Sequence, residues 1–371
     1  MRCNRVKPFS KKATIRLAVA LIIVSVCFII FTKNNARLYD QTIARVIEEK
    51  TIASEEIVDA YRNEDRMTTQ LLRLKILNGP DQNKELTTEN QYTTSGAYDH
   101  HYKVGHDIFI ANANDGIELL DVKRDHYFVI ISAVFVLTLF LVGNKQGLYS
   151  VISLLVNALV ISLALDFYIA YSSISLVLIC AVSVLFLATF SLLLVNGRNE
   201  KTYTAIIATL IGTTLSLAIA FIVIKLLNAQ GIYYEEMQFL SRPYEMVFLA
   251  SLFVGSLGAV MDIAITMTAS IFEIYEKNNQ ISISALKKSG KNVGQDVMGT
   301  MANILFFVYV SGSIPMLVLY LKNGAPLNFA LSMNLSLELA RALVGGIGVV
   351  LTIPIGLYTA LFFVRRKQVQ K

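Results

Sequence analysis

Charge is scarce in this chain. Of 371 residues only 16% are Asp, Glu, Lys or Arg, against about a quarter in a soluble domain. Hydrophobic residues make up 54% and the mean hydropathy is +0.55, which excludes an ordinary soluble protein and calls for membrane spans. Cysteine is nearly as rare. Cys3 precedes an apolar run, and Cys27 and Cys180 lie inside such runs. None falls in the polar segment 33–126, so that segment has no disulfide framework. Zinc-type spacing, H-E-x-x-H, G-x-S-x-G and Walker motifs are missing too. No metal site, cofactor or catalytic residue is therefore assigned, and no enzymatic activity is expected. The formal charge of +6 comes from basic residues dispersed beside apolar segments. They read as orientation signals rather than a phosphate-binding face, so nucleic acid is not an expected partner.

What is present is a set of apolar runs near the roughly 20 residues that a spanning helix needs. They fall at 15–32, 127–143, 148–166, 174–195, 203–227, 246–272, 297–320 and 337–364, eight expected spans. The first follows a basic stretch of signal-peptide type, but FTKNNARLYD at its exit offers no A-x-A site, and Val26 before Cys27 is a poor lipoprotein site. It reads as an uncleaved anchor. Basic residues gather before span one and after spans two, four, six and eight. The alternate loops are nearly bare, with none in 167–173, Arg242 alone in 228–245 and Lys322 alone in 321–336. Both termini are therefore expected in the cytoplasm, 1–14 as a basic N-terminus and 365–371 as a tail, with 33–126 outside.

That outer segment alternates in TIARVIEE, QLLRLKIL and HDIFIANA, with turn signals at Asn78-Gly79-Pro80 and Asn114-Asp115-Gly116. A small β-rich domain is expected, with residues 52–68 more helical or irregular. On the opposite side, ISISALKKSGKNVGQD mixes apolar and basic residues. It suits a short surface helix capped at Ser284 and stopped at Gly290. Tyr233, Tyr234, Phe239 and Tyr244 suit an interfacial belt, and Lys225 a snorkelling position.

The polar residues of the last three spans carry the functional reading. Within FLASLFVGSLGAVMDIAITMTASIFE, Ser251, Gly255, Gly258, Asp262, Thr266, Ala269 and Glu273 share one stripe at helical spacing. A carboxylate in hydrocarbon costs at least ~2.5–3.5 kcal/mol, so this stripe is expected to pack against other helices. Span seven brings Asp296, Gly299, Thr300 and Asn303, then Gly312 and Pro315; span eight brings Glu338 and Arg341, then Gly345, Gly348 and Pro354. Small residues allow close helix approach, and proline leaves a carbonyl without its usual donor. The expectation is a polar seam among spans six to eight, with Asp262 as the pore or coupling carboxylate and Thr266 and Asn303 as ligands. Tight packing, with Glu338–Arg341 as an interfacial ion pair, is the competing reading. Asn157 in span three is expected to bond a neighbouring helix.

All four histidines, His100, His101, His106 and His126, lie outside, at spacings that match no metal motif. Asp262 and Asp296 sit on consecutive spans, as aspartates do in intramembrane proteases, but the second reads Val293-Gly294-Gln295-Asp296 instead of G-x-G-D.

Several stretches resemble the YibE/F-like family of bacterial multi-span proteins. They are Gly258-Ala-Val-Met-Asp262-Ile-Ala-Ile, Ser289-Gly-Lys-Asn-Val-Gly294-Gln-Asp296-Val-Met-Gly299-Thr-Met-Ala-Asn303 and Arg341-Ala-Leu-Val-Gly345-Gly-Ile-Gly348. Outside, Leu77-Asn-Gly-Pro80 and Ala97-Tyr-Asp99-His-His-Tyr-Lys-Val-Gly105-His-Asp107 add to them. Where the family commonly has Gly-Arg-Asp, this chain has Gly294-Gln295-Asp296. The resemblance extends from about residue 37 onward. It implies an inner-membrane protein treated as a permease, with no solute, mechanism or catalytic residue attached.

The expected architecture is an α-helical polytopic membrane protein of about eight helices: an anchor at 15–32, an extracytoplasmic β-rich domain at 33–126 and a seven-helix membrane domain at 127–364. The expected place is the bacterial plasma membrane. The lipid bilayer is one partner, and a second similar chain or self-association suits the small-residue faces equally well. Permease is the leading function; a scaffold or sensor whose outer domain binds a partner is the alternative.

Overall fold

The computed structural model describes residues 10–60, 62–96, 99–113, 116–171, 173–237 and 243–369. By its contacts the chain separates into two compact units, Met1–Leu148 and Tyr149–Lys371.

The first unit opens with helix α1 (Lys11–Asn34), whose cap, Ser10, accepts the N–H of Ala13. An antiparallel sheet follows: β1 (Thr42–Val58), β2 (Glu64–Ile76), β3 (Glu85–Thr93), β4 (Asp107–Ala113) and β5 (Gly116–Val122), in the order β3-β2-β1-β4-β5. This is the strand order of an OB-type Greek key, and β3 and β5 approach one another across the curl. Its core is Ala44, Val46, Leu72, Leu74, Ile76, Tyr102, Ile108 and Ile110. The three alternating segments read from the sequence lie in β1, β2 and β4. Of residues 52–68, expected to be helical or irregular, 52–58 instead complete β1 and 64–68 open β2. Register shifts at 46–48 and 51–53 let this long strand bend while it stays paired to β2. The turn expected at Asn114-Asp115 lies outside the described residues.

The sheet is tied to the helices that flank it. Lys123, 2% exposed, places its ammonium 2.8 Å from Asp125 and against the carbonyl of Thr32 at the end of α1. Asp125 also accepts from Asn35 (3.1 Å) and Tyr39 (3.2 Å). A buried lysine needs such partners, and here they join the two chain exits from the sheet.

Among the described residues seven helices, not eight, are long and apolar enough to cross a membrane. The expected second and third spans both fall within α2 (Asp125–Ala170), which contains one non-helical residue, Asn144, at φ 51°, ψ −127°. At 46 residues a straight helix would run about 69 Å, over twice the hydrocarbon thickness. The backbone bends there: a Cβ on Gly147 would lie 2.0 Å from the carbonyl oxygen of Leu139, a contact open only to glycine. Asn144 Oδ1 accepts the hydroxyl of Thr14 at 3.0 Å.

The second unit holds the remainder of α2 with α3 (Leu176–Asn196), α4 (Glu200–Leu226), α5 (Tyr244–Lys277), α6 (Ile283–Lys322) and α7 (Leu327–Val369). Helix α5 is central, packing against α3, α4, α6 and α7. Its ridge of Val260, Ile263, Met267 and Ile271 is fully buried. The expected short surface helix is instead the start of α6: Ser282, not Ser284, caps it by accepting from Ala285 N–H at 3.2 Å. Gly290 does not stop it, because it is the point where Ile271 and Leu357 press closest to the helix. Both Pro315 and Pro354 sit inside unbroken helix, so neither proline interrupts its span. Tyr234 is buried against Tyr244 and Phe248 rather than lying in a belt; Phe239 is outside the described residues.

Candidate functional site: a polar groove ending at Asp262

Successive residues of an α-helix point about 100° apart, and this decides what α5 shows to each neighbour. Ile263 faces the core shared with α6 and α7, together with Met267 and Ile271. Met261 and Ile265 lean on the α3–α4 cluster around Leu192 and Ala205. Most of the small-residue stripe falls on neither side. Gly255, Gly258 and Asp262 are exposed, and Ser251, Thr266 and Ala269 are only partly covered. The expectation that this stripe is packed within the chain is corrected: α5 gives its helix contacts to apolar ridges, which bury more area at less desolvation cost.

Asp262 instead lines a groove of about 360 Å³ with residues of α2 and α3: Ser150, Ser153 and Asn157 on one side, Ser191 and Asn196 on the other. Ser191 donates its hydroxyl to Asn157 Oδ1 at 2.9 Å, the cross-helix bond expected of that asparagine. Ser150, Ser153 and Asn157 recur at i, i+3 and i+7, so α2 presents them on one face. That spacing is the signal in the sequence for Ser150 and Ser153. Asn196 closes α3, and Asp262 lies 18 residues into α5. The polar lining therefore starts at a helix end and finishes near the middle of a span. Among the described residues no hydrogen bond or ion pair reaches the Asp262 carboxylate, so any neutralising proton, cation or partner comes from outside these contacts.

The other expected seam residues are dispersed. On α6, Asp296, Gly299, Thr300 and Asn303 form an exposed face with no packed neighbour at Gly299 or Gly312. On α7, Glu338 and Arg341 form the expected i,i+3 ion pair, and the guanidinium lies 5.5 Å over the ring of Phe248. Close packing accounts for three glycines. A Cβ at Gly255 would meet Tyr309 Oη at 2.8 Å, one at Gly345 would meet Leu305 at 3.2 Å, and one at Gly348 would meet Val260 at 2.9 Å; Gly258 faces open space. No single seam of α5, α6 and α7 therefore gathers Asp262, Asn303 and Glu338, because they point to different sides.

In the sheet unit the histidines are separately engaged. His101 contacts Glu49 at 2.8 Å and stacks on Tyr92. His100 meets Arg124 at 3.2 Å, and His106 accepts the Lys103 N–H at 3.3 Å. Among the described residues no three His, Cys, Asp or Glu converge as a metal set.

Residues 131–366 match the family model of the YibE/F-like protein, and residues 37–122 match that of the YibE/F family N-terminal domain. No curated protein and no solved structure matches the chain. The two matched segments take in the sheet and the whole groove, and on that ground the chain belongs to the YibE/F-like family.

Proposed function

We propose that this is a multi-pass bacterial plasma-membrane protein acting as a permease or transport component, with its polar path along the groove that ends at Asp262. In this reading α2 crosses the bilayer twice, both termini are cytoplasmic and residues 33–126 are extracytoplasmic. The observation that carries it is an unpaired carboxylate at the inner end of a groove lined by Ser150, Ser153, Asn157, Ser191 and Asn196. An ionised acid is unfavourable at mid-bilayer depth, whereas a protonated one, or one holding a cation, is far less so. Asp262 is thus suited to exchange a proton or cation with the side of the membrane at which Ser150 and Asn196 lie. Thr266 flanks it one turn along α5. The exposed α6 face of Asp296, Gly299, Thr300 and Asn303 then serves contact with a second similar chain or another copy. No catalytic step is assigned.

Solute accumulation screened in cells lacking and overproducing the chain identifies the cargo. Asp262→Asn then abolishes its flux in reconstituted vesicles. Unchanged flux in that variant overturns the path. A scaffold would tolerate Asp262→Asn and lose its function when residues 40–120 are deleted.

A further inference from the structure

A second groove, of about 590 Å³, opens at the other end of the helical unit, where α3 and α5 begin and α4 ends. One wall is a single face of α4: Thr214, Ala218, Phe221 and Lys225 follow at i, i+4, i+7 and i+11, all exposed. Along the helix they span about 16 Å. Val177 of α3 and Met246 and the buried Leu249 of α5 line it as well. The walls are almost wholly apolar until the mouth, where Lys225 Nζ lies 3.0 Å from Glu245. Lys225 also lies 5.8 Å from the centre of the Phe221 ring.

We infer that this groove holds one acyl chain of a bilayer phospholipid carrying a phosphoethanolamine head. An apolar trough running inward from the end of a spanning helix has the direction of a lipid tail. Its mouth lies at headgroup level, where a lysine is stable. The exposed Lys–Glu pair is itself a zwitterion, and its charges complement a phosphoethanolamine group: the ammonium of Lys225 meets the phosphate, and Glu245 accepts from the lipid's primary ammonium. A purely anionic head would meet Lys225 but be repelled by Glu245. The inference is independent of transport through the Asp262 groove.

The chain contains no tryptophan, so a single substitution supplies a sole indole, excited at wavelengths where the tyrosines do not absorb. Phe221→Trp puts it on the groove wall, and Val223→Trp puts it at the same depth on exposed helix outside the groove. Both variants are reconstituted into vesicles of phosphatidylethanolamine and phosphatidylglycerol, with one or the other lipid brominated as quencher. At 221, brominated phosphatidylethanolamine should quench about two- to fivefold better than brominated phosphatidylglycerol, the preference that a surface ion pair supplies. At 223 the two should be equal, and adding Lys225→Gln with Glu245→Gln should remove the preference at 221. Equal quenching at 221, or a preference that survives loss of both charges, overturns the site. The unsubstituted chain offers an independent check by native mass spectrometry: released from an equimolar mixture, it should retain phosphatidylethanolamine over phosphatidylglycerol, and equal retention likewise overturns it.

Discussion

Asn78 accepts the main-chain N–H of Ile43 at 2.6 Å and donates to the carbonyls of Tyr39 (3.1 Å) and Gln41 (2.9 Å). This buried amide closes the start of β1 onto the end of β2, next to the turn at Gly79, where φ is +82°. Asn78→Ala leaves three main-chain groups without their partner, at a cost of about 3 kcal/mol to the folded sheet unit. Thermal unfolding of the purified chain, followed by circular dichroism in the β region, reads this directly. A loss below about 0.5 kcal/mol would show that water replaces the amide.

The sheet unit should also weaken on mild acidification. Burial holds the imidazole of His106 below its ordinary pKa, with the charge of Lys103 acting the same way against Glu49 and Asp107. The Lys103 N–H donated to His106 Nδ1 requires that nitrogen unprotonated. Because the folded state disfavours the proton, the unfolded chain binds more of it. Stability is then complete above the unfolded value near 6.5 and declines as pH falls from there toward the lowered folded value. Unfolding temperatures measured between pH 7.5 and 5.5 should drop with acid in the native chain and drop less in His106→Asn. An equal slope in the two would assign the acid sensitivity elsewhere.

Which of these features the sequence reveals depends on their range. The Glu338–Arg341 pair lies within one helix turn, and the spacing alone defines it. Alternation marks β1, β2 and β4 because each puts a buried face on the core. It fails for β3, ELTTENQYT, which has no fully buried residue, and for residues 52–58, where exposure on both faces leaves no period to see. Asp262 illustrates the harder limit. Periodicity groups it with Gly258 and Thr266 on one stripe but is silent on which helix covers that stripe. Ile263, one residue on, decides the packing of α5, and the acid is turned toward Ser191 and Asn157 instead.

Gly147 has a role that composition would not single out. Its missing side chain lets the chain pass 2.0 Å, in Cβ terms, from the Leu139 carbonyl, and the neighbour is backbone, which cannot rotate aside. Gly147→Ala should therefore cost about 3 kcal/mol, the upper range for an overpacked site. The yield of monodisperse protein in detergent should fall with it. Asn144→Gly is the companion variant: it relieves a non-glycine residue at φ 51° while losing the Thr14 contact, and should stay near native stability. If Gly147→Ala behaves the same way, the bend in α2 does not depend on that close approach.

The crossing of α4 and α7 offers a sharper test because its two sides can be varied together. A Cβ on Gly212 would fall 2.2 Å from Thr352 Oγ1 and 3.2 Å from a methyl of Val260. Thr352 is fully buried and donates its hydroxyl to the Gly348 carbonyl at 2.7 Å. Gly212→Ala forces that hydroxyl from its place and should cost about 2 kcal/mol. Thr352→Ala alone loses one hydrogen bond within a helix, about 1 kcal/mol. In the double variant the obstructing oxygen is gone and the new methyl occupies its space, so the combined cost should fall short of the sum by about 1 kcal/mol or more. Thermal unfolding of the four proteins in one detergent gives that coupling. Additivity within about 0.5 kcal/mol would mean that Val260, not Thr352, sets the distance between the two helices.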